Sequence, residues 1–252
     1  RLQGETPPEF LLSHPVTDSR LTAAQDRAAQ LNVADAYTSD TLYDMMRARA
    51  LLSIYANTPQ QAAARLAQEG ADETAQGYLD ALIAARNGQT DNALQRLDQL
   101  ASQQPDFAML PASAASVALE AGQYDEAIQR SQRLLRFMPN YLPAQLILAE
   151  AQLQRDPQSA YNVLRDMADQ HPENPQVFNL LAEAAGRSGH DGWGHLARAE
   201  HLQLTGRVDR GIRQLSIARD AAERENDQQV VARIEQRREA FIEYREALED
   251  FN

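Results

Sequence analysis

The chain has no cysteine, no lysine, a single tryptophan, and only 11 glycines and 11 prolines among 252 residues. Without cysteine there are no disulfides and no thiolate metal ligands, a composition that suits a reducing or an oxidising compartment equally. Glycine and proline are too scarce for an all-β chain, which needs a turn about every ten residues. No run approaches the roughly eighteen apolar residues that a membrane-crossing helix requires. The opening residues, Arg1 to Phe10, are polar and contain Pro7 and Pro8. They lack the basic segment followed by an apolar one that marks a signal peptide, so none is expected within them.

Positive charge is also short, with 24 arginines against 36 acidic residues and a formal net charge of −12. Such a field repels nucleic-acid phosphates and anionic lipid headgroups, which argues against both as partners. The base composition of the gene explains an all-arginine chain as readily as a need for planar forks that grip carboxylates. What is abundant is 43% hydrophobic and 24% charged residues, dominated by Ala, Gln, Leu, Arg and Glu. That mixture buries a core and favours helix.

A fixed period runs through the middle of the chain. Gly88, Ala93 and Pro105 recur as Gly122, Ala127 and Pro139, each 34 residues later. In such a unit the glycine breaks the chain between two antiparallel helices, the alanine lets them approach, and the proline ends the second. The segment Gly122-Gln123-Tyr124-Asp125-Glu126-Ala127-Ile128, closing at Pro139-Asn140, resembles the tetratricopeptide consensus. Upstream, Asn57 takes the turn position and Ala62 the small one. Downstream, Pro172 closes a shorter unit after Asp156-Pro157, and Phe178, Leu181, Ala182 and Ala185 mark the next first helix. Gly206 opens Val208 to Ile217 with Gly211 at the small position, yet lies only 17 residues beyond Gly189, so the repeat phase slips there. From Asp227 to Phe251 the pattern predicts one long charged helix with Val231, Ile234, Phe241 and Leu248 as its apolar stripe. A repeat stack needs a polar outer cover at its end, and this helix is assigned that role. The expected fold is all-α: a right-handed tetratricopeptide superhelix of roughly twelve helices or slightly fewer from about residue 39 to the C-terminus, with its repeats over 39–225 and its capping helix at 226–252.

Residues 1–38 stand outside the register. Phe10, His14-Pro15 and Arg20 resemble a late part of the peptidase domain in periplasmic zinc metallopeptidases of the beta-barrel assembly-enhancing type, where tetratricopeptide repeats follow at once. Ser13 stands where that pattern has threonine. The resemblance implies a peptidase tail and linker helix at 1–38, a periplasmic location and zinc in the full-length protein. It further implies His14 as an auxiliary or gating zinc ligand supported by Arg20, and unfolded or assembling outer-membrane proteins, or their insertion machinery, as partners. It does not supply catalysis to this chain. Zinc hydrolysis needs two histidines one turn apart and a glutamate between them, and no pair among His14, His171, His190, His195 and His201 has that spacing. The alternative is a free-standing repeat scaffold unrelated to proteolysis.

In a tetratricopeptide stack the first helix of each hairpin lines the inner groove. The register places Tyr78, Leu82, Arg86, Leu146, Glu150, Asn179, Glu183 and Arg187 there. Such a mixed face suits extended peptide, since amides bond peptide groups and arginine grips carboxylates; the alternative is ordinary solvated helix surface. The stretch Gly186 to His195 reads as an inter-helix turn anchored by Trp193 rather than a metal or phosphate site. Met45 and Met46 are expected in the core, and the acidic pairs Asp125–Glu126 and Glu223/Glu225 on the surface.

Overall fold

The computed structural model describes residues 17–30 and 40–249. The chain divides into two compact units, residues 1–40 and 41–252. In the first, the one described element is α1 (Thr17–Gln30), which begins where the sequence after Pro15 predicts a new helix. His14 lies outside the described residues. Arg20 falls in the first turn of α1, with its side chain outside them as well.

The second unit is a succession of antiparallel helices: α2 (Thr41–Ile54), α3 (Pro59–Gln68), α4 (Glu73–Arg86), α5 (Thr90–Gln103), α6 (Met109–Glu120), α7 (Tyr124–Phe137), α8 (Leu142–Arg155), α9 (Pro157–Gln170), α10 (Pro175–Arg187), α11 (Asp191–Leu204), α12 (Val208–Arg224) and α13 (Gln228–Glu249). Their ends follow from local chemistry. Asp72, Asp156 and Asn174 accept hydrogen bonds from the first free N–H groups of α4, α9 and α10. Pro59, Pro157 and Pro175 open α3, α9 and α10, where a missing N–H costs nothing. Gly88, Gly122, Gly189 and Gly206 end helices with φ between 73° and 80°, the left-handed region only glycine enters freely. Asn226 does the same work after α12 at φ 59°.

Ala62, Ala93 and Ala127, small positions of the register, and Ala160 of α9 are completely buried, each letting a second helix close on its first. Two large apolar clusters and a small one of Ala112, Leu134 and Ala144 fill the stack. One runs from Met45 to Ala127 with Ala151, the other from Ala149 to Phe241, so both draw on α8. Met46 corrects the sequence reading: beside buried Met45 it is 58% exposed, because adjacent helical residues cannot share one face.

The phase slip at Gly206 is visible in which helices touch. Up to α10 each first helix meets the next first helix: α2 with α4, α4 with α6, α6 with α8, α8 with α10. Among the described residues α10 and α12 do not meet; instead α11 contacts both α12 and α13. Thus α11 is at once the second helix of one hairpin and the first of the next, and α13 ends the stack. Glu200 of α11, almost buried, is matched there by Arg237 of α13 through two bonds of 2.6 and 2.9 Å. The buried stripe of α13 is Val230, Ile234 and Phe241, a turn-by-turn spacing into which the Arg237 stem fits. The expected Val231 is only partly buried and Leu248 is 41% exposed, so the stripe is shifted by one residue at its start and ends early.

Candidate binding groove

First helices α2, α4, α6 and α8 set their inner faces side by side. A cleft of about 560 Å³ opens between α6 and α8, with Arg49, Ser116, Glu120, Tyr141, Leu146 and Glu150 among its walls. A smaller cleft of about 120 Å³ adjoins it and shares Arg49, Ser113, Ser116 and Glu120, adding Leu82 and Arg86 of α4. Further along, Asn179 and Glu183 of α10 line a third cleft of about 380 Å³. Its other wall is His195 and Arg198 of α11. This is the consequence of the slipped phase: α11, acting as a first helix, adds its own face to the groove.

The predicted groove residues separate into four kinds. Leu82, Leu146, Glu150, Asn179 and Glu183 line clefts. Arg86 lines the small cleft, but its Nη1 donates at 2.6 Å to the Leu52 carbonyl, so part of the guanidinium is committed to the free C-terminal end of α2. Arg187 is exposed and pairs with Glu183 at 3.4 Å one turn away. Tyr78 is not on the groove surface at all. It is completely buried, its hydroxyl 2.8 Å from Ser113 Oγ, because α6 closes over it and a buried phenol needs a partner.

Sequence reasoning missed Arg49. Its Nη1 donates to Tyr78 Oη at 3.1 Å and Ser113 Oγ at 3.3 Å, and both partners are hydroxyls. Tyr78 first, then Glu120, hold its guanidinium above its ordinary pKa despite the opposing effect of burial. No carboxylate among the described residues lies within ion-pair distance of it. Nearby Tyr141 is pushed upward by burial, then by Tyr78, with Arg49 pulling the other way. Only the fold, which joins residues 29 and 64 positions apart, reveals this centre.

Opposite it, the Glu150 carboxyl is raised by burial and then by the charges of Glu120 and Glu183. A carboxyl whose folded-state pKa exceeds its unfolded value binds its proton more readily when folded. Ionised Glu150 therefore costs stability above the carboxylate range, and the cost disappears as pH falls below about 4. Glu150→Gln is expected to melt at a higher temperature than the parent chain at pH 7, with the difference gone near pH 4. Equal melting at both pH values would remove the glutamate row as a source of unbalanced charge.

The stretch Gly186 to His195 is more helical than the sequence suggests, since α11 already begins at Asp191. Trp193 is its anchor, 8% exposed. Its histidines go separate ways: His190 stacks on Tyr161 at 4.1 Å, His195 Nδ1 lies 2.7 Å from Gln214 Nε2, and His201 Nδ1 lies 2.9 Å from the Pro175 carbonyl. No group of three His, Asp or Glu that could hold a metal occurs among the described residues. No helix among them is long and apolar enough to cross a membrane.

The hairpins, their turn glycines and the groove define a tetratricopeptide-repeat superhelix, and a tetratricopeptide-repeat family model matches residues 118–182. The chain is homologous to beta-barrel assembly-enhancing proteases. It is 30% identical to that of Yersinia pestis over 84% of its own length and 44% of the relative's. It is 32% identical to that of Escherichia coli K12 over the same shares. The chain thus spans less than half the length of the curated relatives it matches. Among solved structures, MamA from Desulfovibrio magneticus RS-1 is similar with a TM-score of 0.49 and 17% identity, covering 69% of this chain and 97% of that one.

Proposed function

We propose that this chain is the protein-binding part of a periplasmic zinc metallopeptidase, whose groove receives unfolded or assembling outer-membrane proteins or the machinery that inserts them. The observation that carries this reading is the groove itself, in a chain homologous to proteins named for enhancing beta-barrel assembly. Neighbouring clefts spread over α2 to α11 suit an extended polypeptide better than a small molecule, because each first helix offers one or two contacts and weak contacts sum along the segment. The described residues do not fit a zinc site. By the resemblance, zinc belongs to the full-length protein, with His14 as its auxiliary or gating ligand and Arg20 supporting that segment.

The test is titration of the chain with an unfolded outer-membrane β-barrel polypeptide, at low and high salt. Leu146→Asp and Asn179→Ala are each expected to weaken binding about tenfold, corresponding to roughly 1.4 kcal/mol. Because the groove carries both charge signs, salt is expected to change affinity only modestly. Unchanged affinity in both variants would place the binding surface elsewhere. Absence of binding in the parent chain would favour a scaffold with an unrelated client.

A further inference from the structure

The groove as a polypeptide-binding surface leaves open which polypeptides it prefers, and the charges of the large cleft narrow the choice. Arg49 reaches across from α2 to touch Ser113 of α6, so its guanidinium stands at the α6 side of the cleft. Its two side-chain bonds engage one nitrogen, and both go to neutral hydroxyls. A guanidinium is a five-donor planar fork shaped for a carboxylate, and Arg49 lines a cleft with no carboxylate in ion-pair distance of it among the described residues. Glu120, whose charge acts on Arg49, accepts a hydrogen bond from Ser116 Oγ at 2.9 Å.

Across the same cleft Glu150 stands on α8, flanked along the groove by Glu120 of α6 and Glu183 of α10. Glu183 has Arg187 beside it, whereas no arginine pairs with Glu150 among the described residues. One cleft therefore holds a cation lacking an anion and an anion lacking a cation. Arg49 and Glu150 line one cleft, so a single extended segment lying in it meets both.

We propose that the cleft between α6 and α8 takes an extended segment of another polypeptide that presents a carboxylate side chain to Arg49 and a basic side chain to Glu150. The Ser113 hydroxyl lies beside Arg49, and Tyr141 and Leu146 line the same cleft, so residues between the two charges are small or apolar. A segment carrying only one sign of charge satisfies one end and is repelled at the other, which makes the pattern selective. The proposal rests on the groove being the polypeptide-binding surface.

The experiment titrates the whole chain with short, capped, dye-labelled peptides read by fluorescence anisotropy. One carries one Asp and one Lys in an Ala/Ser/Leu background; in the others Asp becomes Asn, Lys becomes Gln, or both change. The Asp–Lys peptide is expected to bind about tenfold tighter than either single-charge peptide. With Arg49→Gln the advantage of Asp over Asn disappears while that of Lys over Gln persists; with Glu150→Gln the reverse holds. Should Arg49→Gln lose helicity, Arg49→Lys keeps the charge without the fork, and the Asp-to-Asn change in the peptide tests the contact in the parent chain. Equal affinity for all four peptides, or a charge preference that survives both variants, overturns the proposal. If the chain still binds unfolded outer-membrane polypeptide in that case, the groove reading stands and only the charge pattern falls. If it binds neither, both fall.

Discussion

Gly192→Leu is expected to split the unfolding of the stack into two transitions, with the α11–α13 end melting well below the rest. A Cβ at Gly192 would lie 2.9 Å from the Cβ of Ala222, 3.0 Å from its Cα and 3.1 Å from its backbone nitrogen. Two of those three atoms are main chain, so α12 itself must move, and a larger side chain moves it further. Overpacking of this kind costs about 1–3 kcal/mol, and the rigid neighbour puts leucine at the upper end or above. The displacement also pulls Glu225, which accepts the Gly192 N–H at 3.0 Å, away from the start of α11. Because each hairpin in a repeat stack touches only its neighbours, damage at one interface uncouples the end beyond it and spares the remainder. The single tryptophan lies in the next residue, so its fluorescence reports the lost interface while circular dichroism reports the surviving helices. Gly186→Ala is the control. That glycine is helical, and an added methyl would meet nothing within 4 Å, so alanine there is expected to stabilise by roughly 0.5–1 kcal/mol. A Gly192→Leu chain that melts in one step at the parent temperature would show that α11 and α12 are not in tight register.

How far the sequence carries depends on the range of each interaction. Turn glycines, closing prolines and small alanines are legible because each acts within one hairpin and recurs at a fixed offset; Gly88 and Gly122 take the same left-handed conformation 34 residues apart. The half-period step from Gly189 to Gly206 is legible too, and it marks the place where α11 changes role. Its result, a groove wall contributed by His195 and Arg198, is not, because the period alone does not say which face a helix with two partners shows. Tyr78 fails for a related reason. Its register position is right for an inner face, but Ser113 of the adjoining α6 covers it. Arg49 has no repeat signature, since its role comes from hydroxyls on two other helices. Along α13 the apolar residues Val230 and Val231 are adjacent, and only packing against α12 and α11 decides that Val230 is the one that turns inward.

Trp193→Ala is expected to be the most destabilising single truncation in the stack, at about 3–5 kcal/mol. The indole is nearly buried, and removing it leaves a cavity among α9, α11 and α13 that rigid helices do not close. It also unstacks two cations. The Arg165 guanidinium of α9 lies 4.6 Å from the ring centroid and that of Arg233 on α13 lies 5.0 Å from it. Arg233 in turn donates to Asp169 of α9 at 2.8 Å, so the indole is the central plate of a brace joining the last helix to α9. Each cation–π contact contributes roughly 0.5–1 kcal/mol at such a partly exposed site. Trp193→Phe keeps a ring of weaker quadrupole and smaller area and is expected to lose about half as much as alanine. The measurement is chemical denaturation followed by circular dichroism, with hydrogen exchange of α13 amides beside it. Exchange in α13 is expected to accelerate far more in Trp193→Ala than exchange in α4 and α5, which the brace does not reach. Uniform acceleration along the chain, or a loss below about 1 kcal/mol, would mean that the indole fills space without tying the final helix to the stack.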